Sequence, residues 1–439
     1  MNKTSRRSIL KAGAAVTAGA AAHTTGLRSA FAADRAGSKF NWGHTVDFGE
    51  QYYSNMLNIM ESIRRTEIDL IGDLSDRMAA AIKKGNNVWM QAQAGHMGYI
   101  EFKEENKGNP GILRSSTNWG GSDYDKMQPG DVLMTNYVSE NVRTARDNGV
   151  YVIGVPVNYV DNEWAPRGFV SPNVNDWMLG DVSDVILQSY IPYTQGIVDV
   201  PEIPEMKVCP SAGNSLCSLY WMFQAEVANK VKNPSAKRLD YSVRYLDTIL
   251  DRIRTAYRLQ KDAMFDTAAV VAEKIGNGAH YHVMSDHGGV QSEASGVAMG
   301  PMMTNAFRRD MKAGDVQLLA TIEPDSQTIL DNAMNAREMG MFVVSIGPGS
   351  FTELRRYSDL YIDNLCPEGG GMYEITGIPQ KVATAGGVMN NWLMWIFTSQ
   401  FVDEMVRRGW VPWFYMGYFA TGGPEYCKAM KLHFDRRGF

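Results

Sequence analysis

Gly130-Asp131-Val132-Leu133-Met134 and, further along, Gly314-Asp315-Val316-Gln317-Leu318-Leu319 are the stretches that decide the fold. Each couples a glycine and an aspartate to a short apolar run, and nothing between them repeats so openly. Working outward, the order of matches never changes. Gly85-Asn86-Asn87-Val88 leads to His96, and Gly276-Asn277-Gly278-Ala279 leads to His287, both at an offset of 191. Ser183-Asp184-Val185 recurs as Ser358-Asp359-Leu360, and Ile203-Pro204-Glu205-Met206-Lys207-Val208 as Ile378-Pro379-Gln380-Lys381-Val382. Offsets that shrink in steps are what small loop deletions between two copies of one unit would leave. The reading is repeat one over 45–230, a charged, Pro-containing linker over 231–240, and repeat two over 241–439.

Within each copy the hydrophobic period names the elements. Met56, Met60, Ile63, Ile71, Leu74, Met78 and Ile82 are spaced for a long amphipathic helix, as are Leu246, Ile249, Ile253 and Tyr257. Short Val/Ile-rich runs follow at 132–134, 150–155, 316–319 and 341–346, separated by helix-length polar stretches, the pattern of parallel strands in βαβ units. Apolar helices over 218–231 and 390–406 close the copies. The predicted fold class is α/β: two tandem three-layer, doubly wound parallel-sheet domains.

Residues 1–33 read as a twin-arginine signal peptide. Ser5-Arg6-Arg7-Ser8-Ile9-Leu10-Lys11 precedes an Ala/Gly-rich run, and Ala30-Phe31-Ala32 supplies small residues for cleavage near Ala33 or Asp34. The expected location is therefore periplasmic, with no membrane anchor after processing. Five of the 43 basic residues and none of the 48 acids lie in that stretch, so 38 basic residues remain and the formal charge falls to −10. Such a surface repels phosphate backbones, which argues against nucleic acid as a partner. Cys209, Cys217, Cys366 and Cys427 form no C-x-x-C pair, which argues against a zinc ribbon or a dithiol redox centre; Cys209 and Cys217 are near enough in sequence to close a short loop. No G-x-G-x-x-G stands between a strand and a helix, so no nucleotide cofactor is expected.

In doubly wound sheets ligands sit beyond the carboxyl ends of the strands. There, His96 and His287 follow strands on Gly-flanked turns and are candidates for proton transfer. Glu101 and Glu293 follow on the next helix. Glu293 is the stronger catalytic candidate, with Ser285, Gln291 and Ser292 around it; the plainer reading of Glu101 is an acid in the first turn of its own helix. Ser139 and Asn141 in repeat one, and Ser326 and Thr328 in repeat two, offer hydrogen bonds to a ligand at helix starts, though the same residue types cap helices. Ser350 and Glu353 read as a capping box. Lys207 and Lys381 fit surface ion pairs, and the aromatic stretch from Trp410 to Phe419 fits packing between domains. His280 and His282 share one side of a strand, but without a further ligand at a recognisable spacing no metal is expected.

These features together resemble the SIS (sugar isomerase) domain family. The resemblance rests on Gly-Asp-Val at 130 and 314, the strand–polar loop–helix–strand order that follows, Pro367-Glu368-Gly369-Gly370, Gly377-Ile378-Pro379-Gln380-Lys381-Val382 and the closing helix. It implies a Rossmann-like fold and a small sugar or sugar derivative as ligand. The implied activity is an aldose–ketose type isomerase using His287, Glu293 and His96, with Ser285, Ser292, Ser326, Thr328, Ser139 and Asn141 binding substrate. The alternative it implies is a non-catalytic sugar or sugar-phosphate sensor, and in either case pairing of two chains. The family's phosphate loop is typically Ser-x-Ser-Gly-x-Thr. Here that loop carries Glu323 and Asp325 in repeat two and Glu140 in repeat one. A carboxylate a few ångströms from a phosphate costs roughly 1–4 kcal/mol, so the expected ligand is unphosphorylated.

Overall fold

The computed structural model describes residues 46–92, 97–117, 123–157, 178–192, 194–236, 239–286, 289–305, 310–417, 420 and 422–439. The stretch 1–33 that reads as a signal peptide, His96, His287, Tyr418 and Phe419 lie outside them.

The first half begins with helices α1 (Phe48–Thr66) and α2 (Ile68–Lys83), then β1 (Val88–Ala92), α3 (Met97–Glu101), β2 (Arg114–Thr117) and β3 (Val132–Thr135). It continues with α4 (Glu140–Asp147), β4 (Tyr151–Gly154), α5 (Leu179–Val182), β5 (Val185–Ile186), the antiparallel pair β6 (Gly196–Val198) and β7 (Val208–Pro210), and α6 (Ala212–Lys232). The second half holds α7 (Asp240–Gly276), β8 (Tyr281–Ser285), α8 (Val290–Ala294), β9 (Thr304–Asn305), β10 (Val316–Ala320) and α9 (Gln327–Glu338). It ends with β11 (Phe342–Gly347), α10 (Thr352–Arg356), β12 (Leu360–Asp363), α11 (Gly386–Arg407) and α12 (Gly423–Arg437).

Two five-stranded sheets result, ordered β2-β1-β3-β4-β5 and β9-β8-β10-β11-β12, parallel throughout. This is the α/β, parallel-sheet architecture expected from the sequence. Strands such as Val132–Thr135 and Val316–Ala320 are buried at every position because helices cover both faces, which is why they read as mostly apolar runs, with Gln317 and Thr135 as buried polar exceptions. Helices α6 and α11 are buried around almost their whole circumference and fill the centre between the sheets.

The aspartates of the Gly-Asp-Val runs staple each sheet. Asp131 accepts from the Asn87 and Gln128 N–H groups and from Trp89 Nε1; Asp315 accepts from the His280 and Lys312 N–H groups and pairs with His282 Nε2. The aspartates of the Ser-Asp matches repeat a second device. Asp184 takes the Val152 N–H and pairs with Arg146, and Asp359 takes the Val343 N–H and pairs with Arg337.

Four expectations need correction. The helix-ending glycines with matching positive φ are Gly85 (88°) and Gly278 (94°), so the first-strand register is 193 rather than 191. His96 accordingly falls four residues past β1, but His287 only two past β8. Helix α6 runs on to Lys232 and so takes in the first two residues of the stretch read as a linker; Lys230 within it is buried, with Nζ 2.5 Å from Asp76 Oδ1. Ser350 does not cap a helix; Phe351 precedes α10 and no side chain caps it. The long opening helix of the first half is broken at Glu67, whose carboxylate accepts from Tyr190 OH and the Gln188 N–H.

The four cysteines are free thiols, with Cys209 and Cys217 both buried. Among the described residues, no helix is long and apolar enough to cross a membrane.

Candidate functional site

In a sheet ordered 2-1-3-4-5 the chain winds in opposite directions from the first and third strands, and a crevice opens between their carboxyl ends. This chain has two such places, beyond β1/β3 and beyond β8/β10.

The first crevice is lined by Gln91, Phe102, Met134, Thr135, Asn136, Val155 and Leu216. Two of its polar side chains satisfy each other, while Asn136 Oδ1 is buried with no hydrogen-bond partner among the described residues. Thr135 Oγ1 donates to Gln91 Oε1 at 2.6 Å, and Gln91 Nε2 donates to Tyr124 OH at 2.8 Å. Ser139 caps α4 by accepting the Val142 N–H at 3.3 Å, and Asn141 is exposed on that helix.

The second crevice is built differently. Asp286, one residue past β8, accepts through Oδ2 from Thr321 Oγ1 at 3.0 Å and from Ser326 Oγ. Its Oδ1 is buried and has no hydrogen-bond partner among the described residues. Thr321 is positioned by the loop after β10: its hydroxyl takes the Glu323 N–H at 2.9 Å, and its carbonyl takes Asn390 Nδ2 at 2.9 Å. Asn364 Nδ2 in turn donates to Asn390 Oδ1 at 2.7 Å. Glu323 is buried beside this loop and pairs with Lys107, which reaches over from the first half at 2.7 Å. Ser326 also caps α9 through the Ile329 N–H, whereas Thr328 is exposed. Ser285 accepts the Gln291 N–H at 3.1 Å, so these two groups pair with each other; Ser292 is half-buried on α8.

Between the crevices, α3 and α8 meet at the seam of the two halves. Glu101 and Glu293 are only 2% and 1% exposed there. A Cβ on Gly387, at the start of α11, would stand 2.5 Å from Glu101 Oε1, and one on Gly213, at the start of α6, would stand 2.6 Å from Glu293 Oε1. Each carboxylate therefore nests against the first turn of the other half's closing helix, where the helix dipole favours negative charge. Glu101 ends α3 rather than opening it, so the dipole it meets belongs to α11 and not to its own helix. Burial pushes the Glu101 carboxyl up to about 7, against the opposing pull of a 2.9 Å hydrogen bond from Trp221 Nε1. Cys217 lies near both carboxylates, and burial pushes its thiol well above the usual range.

The same seam carries a reciprocal backbone clasp. Cys209 (φ 60°) donates its N–H to Met299 O at 2.8 Å, and Ala383 (φ 62°) donates to Gly108 O at 2.8 Å. Left-handed conformations in two non-glycine residues are held by these exchanged bonds.

Sequence reasoning thus reached Ser326 and the loop at 321–328, but it missed Asp286, Lys107 and Asn390 as parts of one network. Asp286 was visible only as the residue beside His287. Lys107 lies in a different half, and no spacing rule links it to Glu323. Lys207 and Lys381 lie in exposed ion pairs with Asp199 and Glu374. Trp413 and Phe414 are buried, with Trp413 in a cluster with Met302 and Met430.

No family model and no curated protein matches this sequence. Among solved structures, the fold is similar to the C-terminal domain of glucosamine-fructose-6-phosphate aminotransferase from Francisella tularensis. That match has a TM-score of 0.47 and 9% identity, covering 86% of this chain and 99% of that one. It is also similar to a putative phosphosugar isomerase from Clostridium difficile 630, with a TM-score of 0.46 and 10% identity over 83% and 95% of the two chains. A putative phosphosugar isomerase from Salmonella typhimurium LT2 aligns at a TM-score of 0.44 and 14% identity, over 76% and 93%.

Proposed function

We propose that this chain is two copies of one SIS-type unit, exported through the twin-arginine route, and that the second copy binds an unphosphorylated sugar or sugar derivative. One observation carries the reading: Asp286 Oδ1, buried at the switch-point crevice, lacks a donor while its other oxygen is fixed by Thr321 and Ser326. A buried carboxylate oxygen needs a donor, and a sugar hydroxyl entering between β8 and β10 supplies one. Glu323 beside the same loop makes the place unfavourable for a phosphate dianion, even with Lys107 partly offsetting it.

The second reading is isomerisation at this crevice. It is favoured by the sequence neighbourhood of that carboxylate: Asp286 is followed at once by His287, two groups suited to take a proton from C2 and deliver it to C1. Glu293 and Glu101, by contrast, sit sealed in the seam, and their burial fits joining the halves better than touching a sugar.

The test is a thermal-shift and calorimetric screen of neutral aldoses and ketoses, acidic sugars and sugar phosphates. Stabilisation by neutral sugars that Asp286→Asn removes supports binding; stabilisation chiefly by phosphosugars overturns it. Solvent deuterium appearing at C2 of a bound aldose, and lost in His287→Ala, separates the enzyme from the binder.

A further inference from the structure

The staple at the opposite, amino-terminal end of the second sheet differs from its counterpart in a telling way. In the first half Asp131 is purely a hydrogen-bond acceptor: Oδ1 takes the Asn87 N–H at 2.8 Å, and Oδ2 takes Trp89 Nε1 at 2.9 Å and the Gln128 N–H at 3.1 Å. In the second half Asp315 takes the corresponding His280 and Lys312 N–H groups at 2.9 and 3.0 Å. The indole's place is filled by His282, whose Nε2 is 3.1 Å from Asp315 Oδ2. The place of Asn87 is filled by His280, whose Nδ1 is 3.7 Å from the same oxygen. At the two positions around the start of the first strand that contact the carboxylate, an asparagine and a tryptophan in one half are histidines in the other.

We propose that His280, His282 and Asp315 bind a divalent transition metal, zinc foremost, at the start of β8. The three ligand atoms lie within 4.8 Å of one another. Two of their separations, 3.1 and 3.7 Å, bracket the edge of about 3.3 Å that a tetrahedron with zinc–nitrogen bonds near 2.05 Å requires. Two imidazoles and one carboxylate form a donor set suited to zinc, and cobalt and nickel accept it as well. His282 and Asp315 are fully buried, whereas His280 is 47% exposed and gives the ion its path in. Outer contacts hold the set in place: Asp315 Oδ1 keeps the His280 N–H, and strand pairing of β8 with β10 fixes His282 against Gln317. A surface groove lined by Asn277, Gly278, Ala279, Lys312 and Gly314 runs along the residues that flank His280 and Asp315 in sequence, and water or an external ligand would complete the shell. The site is independent of what the sugar crevice binds, since it lies at the other end of the same strands.

The first half supplies the control substitution. His280→Asn restores the residue found beside Asp131, at a half-exposed position where folding is not at stake. The full chain, stripped with a chelator and dialysed, is titrated with Zn²⁺ by calorimetry, and its Co²⁺ form is read by visible absorption. One equivalent of zinc, a tetrahedral cobalt spectrum, and affinity at least roughly 100-fold weaker in His280→Asn are expected, since even outer-contact losses cost tenfold or more. His433→Ala, on α12 against Trp413 and not among the three ligands, should bind as the native chain does. Absence of stoichiometric zinc from the native chain overturns the site. So does undiminished affinity in His280→Asn, which would leave His282 in the plain hydrogen-bonding role of Trp89.

Discussion

Gly387 leaves no room for a side chain above Glu101: a Cβ there would lie 2.5 and 2.6 Å from the two carboxylate oxygens and 2.8 Å from Cδ. In an exposed helix, alanine in place of glycine stabilises by about 1 kcal/mol. Here the sign should reverse. Gly387→Ala is expected to destabilise by roughly 1–3 kcal/mol, the cost of overpacking a closed site. Urea unfolding measures this, and Glu101→Ala in the same chain should recover part of the loss. Equal loss with and without Glu101 would show that the notch is not what the glycine serves.

The buried Glu101 also dictates a pH dependence. Its folded-state pKa, near 7, is above the ordinary value of 4.5, so the folded chain holds more protons than the unfolded one between those values. Stability contributed by this group is then complete below about pH 4.5 and is lost as pH rises through 7. The loss is at most roughly 3 kcal/mol, from 1.36 kcal/mol per unit. Glu101→Gln keeps the acceptor for Trp221 Nε1 and removes the charge. It should be more stable than the native chain at pH 8 and about equal at pH 4.5, by urea midpoints at each pH. A native advantage at pH 8 would mean the α11 dipole outweighs desolvation.

Much of this architecture was legible in the chain. Val132–Thr135 and Val316–Ala320 are mostly apolar because both their faces are covered, and the pattern is a property of the strands alone. The Gly-Asp-Val matches were legible too, though not their purpose, because an aspartate that caps a neighbouring strand looks like any loop acid. The offset of 191 followed the letters Gly-Asn, while the backbone follows the positive-φ glycines Gly85 and Gly278; identity of residues misled where conformation would not have. The seam was illegible. That Glu101 rests on Gly387, or Lys107 on Glu323, depends on how two halves face each other, and no local periodicity encodes that.

The Asp315 staple responds to acid in the opposite sense from Glu101. Burial alone would raise the Asp315 carboxyl, but the His280 and Lys312 N–H groups and the His282 ring together hold it below its ordinary value. Stability from this group is present above the unfolded value, near 4, and is lost as pH falls through the folded one. Asp131→Ala and Asp315→Ala each strand three donors, among them the buried Trp89 and His282 rings, and should cost on the order of 3 kcal/mol at pH 7. Unfolding midpoints that move by less than a third of that would assign the strand ends' order to packing instead.

The last prediction concerns what the second crevice refuses. Glu323 occupies the loop that would face a phosphate, and it neutralises the cation nearest to hand, Lys107, whose side chain is otherwise 57% exposed. Glu323→Gln removes a negative charge and frees that ammonium in one step, and at an effective dielectric near 20 the combined change is worth about 1–4 kcal/mol for a dianion a few ångströms away. The variant should therefore bind inorganic phosphate or a simple sugar phosphate at least tenfold more tightly than the native chain, while affinity for a neutral sugar, set by Asp286, Thr321 and Ser326, stays within about twofold. Calorimetric titration at two salt concentrations reads both, and the phosphate gain should shrink at the higher salt because the freed Lys107 is accessible to solvent. If phosphate affinity does not change, Glu323 is not what selects against the charge.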